Sequence, residues 1–134
     1  MARVIDGDTI ELSDGRPVRY IGIDAPEVRR RNGSQWVFDP EPFAQAATDA
    51  NRRLVEGKTV RLEYDMQTHD RFGRLLAYVY VPGESGAEVM VNAELLRVGC
   101  AQVLTLPPDV KYAGRFREIA SEARAAGRGL WGRR

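Results

Sequence analysis

An α+β fold built around a small antiparallel sheet or barrel is what this sequence predicts, and three patterns predict it. Val60, Leu62 and Tyr64 alternate with Arg61 and Glu63, the period of a half-buried strand. An Asp14-Gly15 turn separates two β-prone runs, the signature of a hairpin. Helical segments are read in three places, so that strands, a helix, more strands and two helices follow in that order.

The elements follow along the chain. Thr9 to Leu12 and Pro17 to Ile23 form the predicted hairpin around Ser13-Asp14-Gly15. Residues 28 to 42, with Gly33, Pro40 and Pro42, are expected to be a long loop of the kind that often carries function. A helix is predicted from Asp39 as N-cap and Pro40 as first residue. Its stripe is Phe43, Ala46, Ala47, Ala50 and Leu54, and Gly57 is its stop. Strands are expected over Thr59 to Tyr64 and Leu75 to Val81, with a surface turn from Pro82 to Gly86 and a short return at Val89-Met90. Val91 to Val98 fits a second helix stopped by Gly99. Pro107-Pro108 breaks the chain, and Asp109 is the expected cap of a last helix whose stripe is Phe116, Ile119, Ala120 and Ala123.

At 134 residues, with no repeat, linker or low-complexity segment, residues 1–134 are expected to form one domain. Apolar residues at 43% supply a core, and charged residues at 29% with that much apolar material argue against disorder. The net charge of +1 excludes a binder that grips nucleic acid by its overall field. Any hold on phosphates must come from local clusters such as Arg29, Arg30 and Arg31, or Arg124, Arg128, Arg133 and Arg134. The single cysteine, Cys100, excludes an internal disulfide and a zinc site of cysteine pairs, and it reads as a buried small hydrophobe. The single histidine, His69, excludes a multi-histidine metal centre and reads as a surface residue. No apolar run is long enough to span a bilayer, so no membrane partner is expected, and no signal peptide is read at Met1-Ala2-Arg3.

Three short segments concentrate acidic and arginine residues: Asp6-Gly7-Asp8-Thr9, Arg19 with Asp24-Ala25-Pro26-Glu27, and Asp70-Arg71-Phe72-Gly73-Arg74. Taken singly, each has the composition that a turn or a loop start requires. Arg19 alone would be an exposed strand charge, and Arg74 alone the surface partner of an acidic residue.

Taken together, and with Gly73-Arg74-Leu75-Leu76-Ala77-Tyr78-Val79-Tyr80, Val91 to Gly99 and the closing Gly129-Leu130-Trp131, the chain resembles the staphylococcal nuclease (thermonuclease) family from Val4 to Trp131. The resemblance implies a five-stranded OB-type barrel carrying three helices. It also implies calcium-dependent hydrolysis of phosphodiester bonds in DNA and RNA, with little sequence specificity and 3′-phosphate products. One Ca2+ would be held by Asp8, Asp24 and the backbone carbonyl of Ala25. Such a set suits a hard cation, which takes oxygen ligands and refuses sulfur. Arg19 and Arg74 match the catalytic arginines, whose planar guanidinium groups can each meet two oxygens of a charged phosphorus centre. Glu27 matches a glutamate that acts as general base or orients the attacking water. The type member has lysine and tyrosine where this chain has Arg71 and Phe72, and two tyrosines where this chain has only Ala101 to Pro107. Arg71, Phe72, Arg29, Arg30 and Arg31 are therefore the candidate substrate contacts. The resemblance implies a secreted or cell-surface monomer.

A rival from another class is a nuclease-like domain that binds nucleic acid or protein without catalysis. Degeneration should first erode Asp8, Arg19, Asp24, Glu27 and Arg74, and all five are present. A magnesium phosphotransfer enzyme ranks lower, because no Gly-rich phosphate cradle is found.

Overall fold

The predicted hairpin forms as read, and the rest of a six-stranded sheet grows on it. A computed structural model describes residues 2–26, 29–32, 35–38 and 43–132, with residues 29–32 and 35–38 described by their backbone alone. Strand β1 (Arg3–Asp6) pairs antiparallel with β2 (Thr9–Glu11), which pairs antiparallel with β3 (Pro17–Tyr20). After β4 (Ile23–Asp24) comes a separate hairpin of β5 (Arg29–Asn32) and β6 (Gln35–Phe38). Helix α1 (Ala44–Val55) and strand β7 (Arg61–Glu63) follow, then β8 (Leu75–Pro82) and β9 (Glu88–Met90). Helix α2 (Val91–Arg97), the short β10 (Gln102–Val103), helix α3 (Ala113–Ala126) and a 3-10 turn at Gly129–Trp131 complete the order.

Three helices and a mixed sheet agree with the expected α+β class, but two details differ. The sheet runs β1-β2-β3-β8-β7 with β9 also on β8, and no ladder among the described residues returns from β7 to β1. It is an open six-stranded sheet there, not a closed five-stranded barrel. The junction of β3 and β8 is parallel, with Val18 opposite Leu75, Arg19 opposite Leu76 and Tyr20 opposite Ala77. Hydrophobic alternation marks a strand but carries no information about its partner's direction, so an all-antiparallel sheet could not be corrected from sequence.

Strand β8 is the longest, and it serves both of its edges. Its Tyr78–Tyr80 stretch pairs with β7, while β3 and then β9 take successive stretches of the other side. Its Leu75, Ala77, Tyr78, Val79 and Val81 are buried, joined in the core by Ile10, Val18, Tyr20 and Ile23 from the first strands and by Leu95, Leu96 and Phe116 from the helices. Each such large apolar side chain contributes about 1.5–3 kcal/mol on burial. Tyr78 stands edge-on to Tyr112 at 4.6 Å between ring centres. Cys100 is buried, as expected, and His69 is exposed.

Four local readings are corrected. Residues 29–32 and 35–38 form a hairpin within what was expected to be loop; Asn32 opposite Gln35 leaves only Gly33 and Ser34 between the strands. Helix α1 starts at Ala44 after Phe43 in a left-handed conformation (φ 72°), while Asp39 and Pro40, the expected start, lie outside the described residues. Its buried face is Ala44, Ala47, Thr48, Ala50, Asn51 and Val55, with Phe43 and Ala46 exposed. The polar Asn51 belongs inside because its Nδ2 donates to the Asp6 carbonyl (2.8 Å) and its Oδ1 accepts from the Tyr20 hydroxyl (2.6 Å). Lastly, Asp109 caps no helix: its Oδ1 accepts the Gln67 N–H at 2.7 Å, and α3 begins after Tyr112.

Candidate nuclease site

The Asp6-Gly7-Asp8 turn sits between β1 and β2, and Gly7 is needed there for space. A Cβ on it would stand 2.7 Å from the Ala25 Cβ and 2.8 Å from the Ala47 Cβ, closer than packed carbons approach. That tight seat brings the turn against the chain at Ala25. The Asp8 carboxylate is buried (6% exposed); its Oδ2 accepts the Ala25 N–H at 2.9 Å and its Oδ1 the Thr9 hydroxyl at 3.1 Å.

Arg19 stands opposite Thr9 on the neighbouring strand. Its Nη1 donates to the carbonyls of Tyr20 and Ile23, both at 2.8 Å. Its Nη2 lies 3.2 Å from Asp24 Oδ1 and 3.4 Å from Asp8 Oδ2. The two aspartates expected to act together thus flank one guanidinium nitrogen, although they stand sixteen positions apart in the chain with a hairpin between them. Asp6 is the third carboxyl nearby. Burial first, then the charge of Asp8, pushes it up to about 7 against the pull of Arg19. Negative charge is in excess on this side of the site, and its donors are all oxygen. Among the described residues no trio of His, Cys, Asp or Glu side chains is gathered to hold a metal, so the two aspartates stand as a pair. A hard divalent cation fits them and would relieve the crowding at Asp6.

The second arm is the turn from Asp70 to Arg74, just before β8. Asp70 Oδ1 accepts the N–H groups of Phe72 and Arg74, each at 2.9 Å, and Oδ2 accepts Arg74 Nε at 2.8 Å. Phe72 is 60% exposed, with the Arg71 guanidinium 5.0 Å and the Arg74 guanidinium 5.7 Å from its ring centre. Because Leu76 is paired with Arg19, Arg74 lies two residues before Arg19's partner, and the sheet delivers both arginines to one place. They share a cleft of about 430 Å³, also lined by Arg71, Phe72, Leu104 and Leu106. Strand β10, paired with β4, and a bond from the Leu104 N–H to the Gly22 carbonyl (2.9 Å) bring this apolar wall up. The cleft lining contains neither Asp8 nor Asp24; they reach it through Arg19.

Sequence comparison adds to this geometry. A family model described as "Staphylococcal nuclease homologue" matches residues 17–133. The chain is 36% identical over 132 residues to "Thermonuclease" of Staphylococcus hyicus, covering 96% of this chain and 72% of that protein. It is 36% identical over 134 residues to "Thermonuclease" of Staphylococcus intermedius, covering 98% and 74%. The chain belongs to the staphylococcal nuclease family. "Endonuclease YncB" of Bacillus subtilis is 35% identical over 133 residues, covering 96% of this chain and 59% of that protein.

As a staphylococcal nuclease family member, the chain brings Asp8, Arg19 and Asp24 into contact and turns Arg19 and Arg74 to a common cleft. Ala25 is buried beside Asp8. Glu27 lies outside the described residues, as do the side chains of Arg29, Arg30 and Arg31. Sequence reasoning gave no role to Asp6, Asp70 or Asn51. Asp6 and Asp70 stood within the quoted segments, so their position signalled them. Asn51 had no signal, since a polar residue on a helix looks like solvent-facing surface until its partners are known.

Proposed function

We propose that this chain is a calcium-dependent nuclease that hydrolyses phosphodiester bonds of DNA and RNA with little sequence specificity, leaving 3′-phosphates. The observation that carries the reading is the shared cleft: Arg19, bound to both Asp8 and Asp24, and Arg74, in the turn just before the neighbouring strand β8, line the same cavity. The named relatives, two thermonucleases and an endonuclease, support the same class of substrate.

Asp8, Asp24 and the Ala25 carbonyl would hold the cation, which supplies positive charge to a phosphate oxygen when bound. Arg74 and Arg19 bind the phosphate oxygens and stabilise the charge that builds as water attacks, the largest usual source of catalysis in such a site. Glu27 takes the proton of that water or orients it. Phe72 offers a face for a base, and Leu104 and Leu106 form an apolar wall with no hydroxyl to bond a phosphate. Grip on the nucleotide therefore rests on Arg71 and on stacking, with Arg29, Arg30 and Arg31 as further contacts. Phosphate-directed arginines position a substrate without reading its bases, which gives the low specificity.

The test is hydrolysis of DNA and RNA with a panel of divalent metals, beside Arg74→Ala and Asp24→Ala. Cutting should need calcium and vanish in both variants. Full activity in excess chelator would sink the reading, and salt-dependent DNA binding without any product would mark a binding module instead.

A further inference from the structure

Asp70 spends its whole carboxylate on one residue and the turn that carries it. Its Oδ2 takes the Arg74 side chain through Nε, and its Oδ1 takes the Arg74 main-chain N–H and that of Phe72. The main chain closes the same turn: the Asp70 N–H donates to the Arg74 carbonyl at 3.0 Å, and the Gly73 N–H to the Asp70 carbonyl at 3.1 Å. Gly73 adopts φ 85°, which lets the chain double back within five residues. Arg74 is thus held at its main-chain N–H and at its side-chain Nε by a single acidic group. An ion pair as exposed as this one contributes only about 0–1 kcal/mol to stability, so stability does not explain three bonds converging on one carboxylate.

The edge of the guanidinium that Asp70 uses is informative. Pairing through Nε leaves the two terminal amino groups as the end that meets a partner, and among the described residues those groups make no hydrogen bond. The guanidinium also lies 5.7 Å from the centre of the Phe72 ring, and both residues line the cleft. We propose that Asp70 is a positioning residue for phosphodiester cleavage, holding Arg74 by Nε and main-chain N–H so that its two terminal amino groups face the scissile phosphate. The inference rests on the nuclease reading above. It carries a cost that a purely structural pair would not: a carboxylate beside an anionic substrate repels it. Loss of the Asp70 charge should therefore lower kcat while leaving KM unchanged or lower.

The experiment compares kcat and KM on single-stranded DNA for the natural protein, Asp70→Asn, Arg74→Ala and the double variant. Alongside these go Tm and the NMR signal of the Arg74 Nε–H. Asp70→Asn should lower kcat on the order of 10- to 100-fold, the scale of a misplaced catalytic group, without raising KM. The Nε–H should lose its protection from exchange. In the Arg74→Ala background the same change should cost nothing further. An equal loss in that background, or an unchanged kcat with a lowered Tm, would overturn the positioning role. A natural protein that cuts nothing while its Arg74 Nε–H stays protected would defeat the nuclease reading, and the catalytic meaning of the pair with it, but not the pair itself.

Discussion

Two arginines face one cleft, and they are held in opposite ways. Arg19 is locked by tertiary structure: two carbonyls and two carboxylates, drawn from a strand, a turn and a second strand, surround a guanidinium only 15% exposed. Arg74 is held by five consecutive residues, through one carboxylate, at 32% exposure. The difference teaches that one side of the site depends on the fold being complete, while the other is largely written in a local turn.

Arg19→Ala and Arg74→Ala sharpen this most. Each should lower kcat by about 10²–10³-fold, the usual cost of losing one charge-stabilising donor. Only Arg19→Ala should also destabilise the protein, by about 2–4 kcal/mol, because Asp8 and Asp24 lose their shared counter-charge. Arg74→Ala should stay within about 1 kcal/mol. Equal losses in urea unfolding would erase the distinction. Gly7→Ala comes next, since its Cβ must displace Ala25 or Ala47. We expect about 1–3 kcal/mol of overpacking cost, together with impaired cutting as Asp8 shifts; a variant with wild-type stability and activity contradicts the tight seat. Leu106→Tyr addresses the cleft wall, and a stacking ring there should tighten nucleotide binding by about 1 kcal/mol, checked by calorimetry with a mononucleotide diphosphate.

The smallest effect is one of pH. Burial opposes ionisation of Asp70, but the Arg74 N–H and guanidinium and the Phe72 N–H outweigh it and hold the carboxyl below its usual range. Lys111 above all, with Tyr80 and Tyr112, lowers Glu63 in the same way. Carboxyls depressed in the folded state add stability above their unfolded pKa and lose it as pH falls through the folded value. Tm should therefore drop on acidification below about pH 4, and less so in Glu63→Gln than in the natural protein. Identical acid limbs would remove Glu63 from the account.

Much of this was legible in the sequence for the same reason that the two arms differ. The Asp14-Gly15 hairpin, β8, the α2 segment with its Gly99 stop and the stripe of α3 rest on neighbours in the chain, and local pattern reports those. The chemical residues were legible by type and order, through resemblance. What could not be read depends on partners far away: the parallel register of Arg19 with Leu76, the inward Asn51 that satisfies Asp6 and Tyr20, and Asp109 turned to Gln67 rather than to a helix end. The β5–β6 pairing was hidden differently, because Gly33, Pro40 and Pro42 marked residues 28 to 42 as loop and obscured the β-prone Gln35 to Phe38 run.

Strand β8 carries a final consequence. It begins at the residue after Arg74, and its pairing with β3 also fixes where Arg19 lies. Its amide protons should be among the slowest in the molecule to exchange with deuterium, opening only when the whole chain unfolds. No partly melted form can then keep both arms of the site together in working order. On heating, nuclease activity and circular dichroism should be lost in a single shared step.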